Sequence, residues 1–111
     1  MKKAPEQLVV FLSGRTPVRI ITAEWPLVAS ARGTRVYAGM VSTGRLEVRH
    51  RRGAYIVVAT CCNADGVETA YEAGMVETGD PVPMIEAMAK RAEVAAKVYA
   101  ACVRQLPPVD L

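Results

Sequence analysis

Apolar and polar residues alternate along much of residues 7–78, and a helical spacing takes over after residue 80. The clearest alternation is Arg45-Leu46-Glu47-Val48-Arg49-His50, the period-two signature of a half-buried strand. Ala54–Cys62 is apolar on both alternations, which predicts a central strand covered on both faces. Val67–Met75 alternates again; the alternation falters at Val76-Glu77, so a bulge is expected at Gly74. Asn63-Ala64-Asp65-Gly66 reads as the turn between these last two strands. Residues 45–78 therefore predict a three-stranded antiparallel meander.

The earlier part is more finely punctuated. Gln7–Ser13 and Val18–Thr22 read as strands around the turn signal Ser13-Gly14-Arg15-Thr16-Pro17. Trp25-Pro26 marks a break, because proline lacks an N–H and restrains the residue before it. Leu27–Ala31 and Arg35–Val41 flank Arg32-Gly33-Thr34, a hairpin turn by composition. Gly33, Gly39 and Gly44 are spaced like hairpin punctuation, and none belongs to a strand–glycine loop–helix unit that would cradle phosphate.

Asp80-Pro81 opens a helix: Asp80 is a natural N-cap and Pro81 suits the first turn. Ile85, Met88, Ala92, Ala95, Tyr99, Cys102 and Leu106 form one stripe. The spacing predicts one continuous helix over 81–106, ended by Pro107-Pro108 and ~37 Å long at 1.5 Å per residue. That length crosses or overhangs a domain of this size. A second apolar face, Val94, Val98 and Ala101, suits a partner helix.

Composition narrows the class. The chain has 111 residues, 51% hydrophobic and 23% charged, as in an ordinary globular domain. A single domain is expected, with 107–111 as a tail. No run approaches the ~18 apolar residues of a membrane span, and the basic start lacks a signal-like apolar stretch, so a cytoplasmic protein with no membrane partner is expected. Three cysteines, two of them adjacent, make no disulfide framework.

The net charge of +3 conceals a block structure. Residues 15–52 carry eight Arg against Glu24 and Glu47, a net +6. Residues 53–86 carry six acids and no base, a net −6. Arginine presents planar, bidentate donors to phosphate, so Arg35, Arg45, Arg49, Arg51 and Arg52 are candidate nucleic-acid or polyanion contacts. The competing reading pairs Arg45 and Arg49 with Glu68 and Glu72, within one chain or between two.

No motif fixes a reaction. Cys61, Cys62, Cys102 and His50 match no zinc-site spacing, and His50 with either adjacent cysteine carries no nucleophile signature. Glu68 and Glu72 lie ~13 Å apart along a strand, too far for a retaining carboxylate pair. No catalytic residue, metal or cofactor is expected. Trp25 reads as a core or interface anchor.

Three segments, Ile21-Thr22-Ala23-Glu24-Trp25-Pro26-Leu27-Val28-Ala29, Arg45–His50 and the Gly79-Asp80 helix start, resemble small uncharacterised proteins of bacterial plasmids and gene cassettes. The resemblance implies a mobile-element setting and no residue role. Several strands followed by a long helix are also similar to single-strand-binding coactivator domains, which dimerise through the helix. The expected fold is α+β, an antiparallel meander of about six strands against one long C-terminal helix. The expected function is a non-enzymatic, homo-oligomerising module with Trp25, Val94, Val98 and Ala101 at the interface. The alternatives are the arginine-based nucleic-acid module and a small-molecule pocket between sheet and helix.

Overall fold

The computed structural model describes residues 7–12, 16–62 and 68–107. The elements run β1 (Gln7–Leu12), β2 (Thr16–Ile21), β3 (Leu27–Tyr37), β4 (Met40–Arg51), β5 (Ala54–Cys62), β6 (Glu68–Val76), α1 (Val82–Arg91) and α2 (Ala96–Arg104). This is the α+β class with an antiparallel sheet. The strand order is β2-β1-β6-β5-β4-β3. Each sequence-consecutive pair within β3–β6 is antiparallel, and β1 joins β6 in parallel through one residue pair, Leu12↔Ala73. The six strands thus divide into a four-stranded meander and a β1–β2 hairpin.

As expected of its two apolar alternations, β5 is buried from Ile56 to Thr60. One face of the meander carries Ala29, Leu46, Val48, Val57 and Ala59, and the helices cover it with Ile85, Met88, Val98 and Cys102. The other face carries Ile56, Val58 and Ala73, on which the β1–β2 hairpin lays Val10 and Ile20. Burying such side chains contributes about 1.5–3 kcal/mol each.

The single long helix is corrected to two short ones. Ala92 ends α1, and Glu93 takes a left-handed conformation with φ 56°. The Val94 N–H donates to the Ala89 carbonyl at 2.8 Å, and the Glu93 N–H to the Lys90 carbonyl at 3.2 Å. These two bonds are a Schellman ending, normally built on glycine. Its hydrophobic residue, Val94, turns into the sheet beside Gly44. A straight rod would carry its far end off the sheet, whereas the break lets α1 sit over β5 and β6 and α2 over β3 and β4. The helix starts one residue later than expected: Pro81, not Asp80, is the N-cap and α1 begins at Val82, whose N–H donates to the Asp80 carboxylate at 3.0 Å.

The turn at Arg32-Gly33-Thr34 is also corrected. β3 runs straight through it, and the reversal falls at Ala38-Gly39. Both residues there have positive φ, as do Arg52 and Gly53 between β4 and β5. Both are two-residue turns of type I′, whose twist matches the strands. Gly33 and Gly44 pair directly across β3 and β4 under the helices. A Cβ on Gly33 would lie 2.7 Å from Val98 Cγ2, and one on Gly44 would lie 3.4 Å from Val94 Cα. These glycines are seats for a helix, not turn markers. Gly74 is a third seat, under the Met84 thioether, and the expected bulge at it is absent. The register shift lies instead opposite Cys61 and Cys62, which pair with Ala70 and Glu68, so that β6 carries one extra residue, Thr69. The expected turns at 13–15 and 63–66 lie outside the described residues.

Candidate polyanion face and open sheet edge

The arginines separate into two groups once the register is known. Arg49, in β4, is largely buried: its Nη1 donates to the Trp25 carbonyl at 3.1 Å and its Nη2 to Glu47 Oε1 at 3.3 Å. Its Nε is buried without a partner among the described residues. Arg51 pairs with Glu24 at 3.4 Å and lies 5.9 Å from the centroid of the Trp25 ring. Trp25 itself is half-buried against the Ile56 and Val58 cluster. Trp25, Arg49, Arg51, Glu24 and Glu47 therefore form an internal network that closes the loop between β2 and β3.

The second group is open. Arg32 and Arg45 are directly paired across β3 and β4, and both are exposed. Arg45 reaches Glu47 only through Nε, at 3.7 Å. Arg32 forms no ion pair among the described residues. Arg52 is exposed at the β4–β5 turn. The Arg35 side chain lies outside the described ones.

The expected partners of Arg45 and Arg49 are not aligned with them. Arg45 pairs with Thr60, which pairs with Tyr71, and Arg49 with Ile56, which pairs with Met75. Glu72 aligns with Ala59 and Leu46, and Glu68 with Cys62. Residues directly opposite share a face, and one residue along the strand reverses it. The Glu68 and Glu72 side chains lie outside the described ones. The partner nearest in sequence, Glu47, neutralises instead, two residues along the same strand.

β3 is a sheet edge. The Gln105 side chain, just past α2, takes one position of it: Nε2 donates to the Ser30 carbonyl at 2.7 Å, and Oε1 accepts from the Ser30 N–H at 3.1 Å. Ser30 therefore points its backbone groups outward. In an unbroken antiparallel ladder the outward positions repeat every second residue, so Arg32, Thr34 and Val36 also point out. Beyond the end of β5, the β3–β4 arm exposes Val36 (67%), Met40 (68%) and Val41.

The expected interface residues lie elsewhere. Val94 and Val98 are buried in the chain's own core, Ala101 is half-buried, and Trp25 is engaged as above. No signal in the sequence distinguished a helix face meant for this sheet from one meant for a partner.

Between sheet and helices, Leu46, Val48, Val57, Ile85, Met88 and Val98 belong to one packed core. A recess of about 360 Å³ opens at its margin, where Gly74 and Met75 meet Met84 and Met88, with Arg91 at its side. Its lining offers one cation and no converging set of polar groups. Cys61 and Cys62 are half-exposed and Cys102 is buried. Among the described residues no three potential metal ligands gather, and no helix is long and apolar enough to cross a membrane. His50 Nε2 accepts from the Gly53 N–H at 3.2 Å and its ring packs on Tyr55, a local role at the turn.

Comparison with known protein families, with curated proteins and with solved structures finds no match to this chain.

Proposed function

We propose that the chain is a non-enzymatic interaction module that self-associates through the open edge of β3. The observation that carries this reading is the stretch Arg32–Val36, whose outward backbone groups have no sheet neighbour, on an arm with exposed Val36, Met40 and Val41. Gln105 closes the edge at Ser30, and the hairpin turn closes it at Ala38. The free stretch is centred on Thr34, so a second copy fits it about a two-fold axis there. Thr34 then faces Thr34, and Arg32 faces Val36, with about six new backbone hydrogen bonds in antiparallel register. In that register no arginine of one copy lies opposite an arginine of the other, and each Arg32 stem covers a Val36.

Light scattering across tens of micromolar tests the reading. The wild type should show a concentration-dependent dimer. Thr34→Lys sets two like charges opposite each other at the axis and should leave a monomer with an unchanged circular dichroism spectrum. A strict monomer, or a dimer indifferent to Thr34→Lys, overturns the proposal.

A further inference from the structure

We propose that Arg32 and Arg45 form a binding site for a phosphoryl group on the sheet face opposite the helices. Three features of the site point to it, and none depends on self-association.

The first is spacing. The backbone groups of Arg32 face outward, so Arg32 and Arg45 form a non-hydrogen-bonded pair, the closer kind. Their Cβ atoms start roughly 5 Å apart. Like charges at directly opposed positions destabilise a sheet. Among the described residues the one acid that reaches this pair is Glu47, which contacts Arg45 alone at 3.7 Å and leaves Arg32 without an ion pair. An anion held between the two guanidinium groups removes the repulsion.

The second is the geometry of Glu47. Its carboxylate is shared between Arg45 at 3.7 Å and Arg49 at 3.3 Å. One negative charge thus serves two arginines, and Arg32 stands outside the arrangement. The contact to Arg45 is made by Nε, which fixes the guanidinium and leaves its two terminal nitrogens for a ligand. Two terminal N–H groups on each arginine match the oxygens of a phosphoryl group in bidentate fashion.

The third is the space. A recess of about 430 Å³ is lined by Ser30, Ala31, Arg32, Arg45 and Glu47. Next in the same row is Thr60, which is only 4% exposed and whose Oγ1 has no hydrogen-bond partner among the described residues. The row Arg32–Arg45–Thr60 thus places two guanidinium groups and a buried hydroxyl side by side on one face, between Ser30–Glu47 and Thr34–Thr43. The recess is open along the sheet, so both a free phosphate ion and a phosphate within a nucleic-acid backbone can reach it.

Titration of the full chain with inorganic phosphate and, separately, with a fluorescent oligothymidylate, at low salt, tests the site. Variants Arg45→Ala and Arg32→Ala/Arg45→Ala are compared with Arg52→Ala, which removes one charge, as Arg45→Ala does, at an exposed turn away from the recess. The expected result is saturable binding of at least one probe, weakened about tenfold or more by Arg32→Ala/Arg45→Ala and scarcely by Arg52→Ala. Binding of oligothymidylate alone assigns the phosphoryl group to a nucleic-acid backbone, and binding of phosphate as well assigns it to small phosphate species too. No binding of either probe overturns the proposal. So does binding that Arg52→Ala weakens as much as Arg45→Ala, since that is a response to net charge alone.

Discussion

The side-chain amide of Gln105 pairs with the backbone of Ser30 as a neighbouring strand would, donating at 2.7 Å and accepting at 3.1 Å. Its Nε2 also donates to the Ala101 carbonyl, so the end of α2 is tied to the sheet edge. Exposed edges invite pairing with other chains, and a side chain that mimics a strand closes one position without adding a strand. Gln105→Ala should cost about 1 kcal/mol, the net of exposed hydrogen bonds lost. Amide exchange at Ser30 should accelerate while exchange at the β5 core amides hardly changes. If self-association occurs through β3, this variant should strengthen it, because the free edge then extends by one outward position.

Glu93 ends α1 in a conformation that costs a residue with a Cβ about 1–2 kcal/mol. Glycine removes that cost and loses some on its greater freedom in the unfolded chain. Glu93→Gly should therefore stabilise the protein by about 0.5–1 kcal/mol in urea denaturation, with an unchanged m-value.

The helix seats predict a graded series. Gly33→Ala drives a methyl group against Val98 Cγ2, a short branched side chain with little room to move. Gly74→Ala meets the flexible Met84 thioether instead. Overpacking costs about 1–3 kcal/mol, so Gly33→Ala should fall in that range and Gly74→Ala below it. Chemical denaturation of the two variants checks the order.

Burial pushes the Cys102 thiol from 9.0 up to about 11. The folded state therefore holds that proton after the unfolded chain has released it. Stability from this group is complete below pH 9 and declines between pH 9 and about 11, by at most about 1.4 kcal/mol per unit. Cys102→Ala should flatten that part of the stability profile. In the native protein a bulky disulfide reagent should label Cys61 and Cys62 readily and Cys102 only after unfolding.

Period-two patterning located β4 and β5 because one face of β4 meets solvent and both faces of β5 are covered. It also suggested the helix start, where Asp80 and Pro81 have local meaning. It misplaced what depends on distant contacts. Gly33 looked like a turn residue because its reason, Val98, lies far along the chain. The helix looked continuous because Ala92-Glu93-Val94-Ala95 holds no glycine or proline, and the break is imposed by Val94 entering the sheet at Gly44. Arg45 stood out within the basic block, but Arg32 was hidden in a supposed turn. Only the register of β3 on β4 brings the two together.

The β1–β2 hairpin has a consequence for synthesis of the chain. Val10 and Ile20 rest on Ile56, Val58 and Ala73, and β1 meets β6 only at Leu12↔Ala73. At translation rates of about 5–20 residues per second, these two apolar side chains are made several seconds before Ala73. During that interval the hairpin has no surface of its own to rest on. Its docking has to wait for β5 and β6, so any holdase that attends this chain during translation should be found on its first strands.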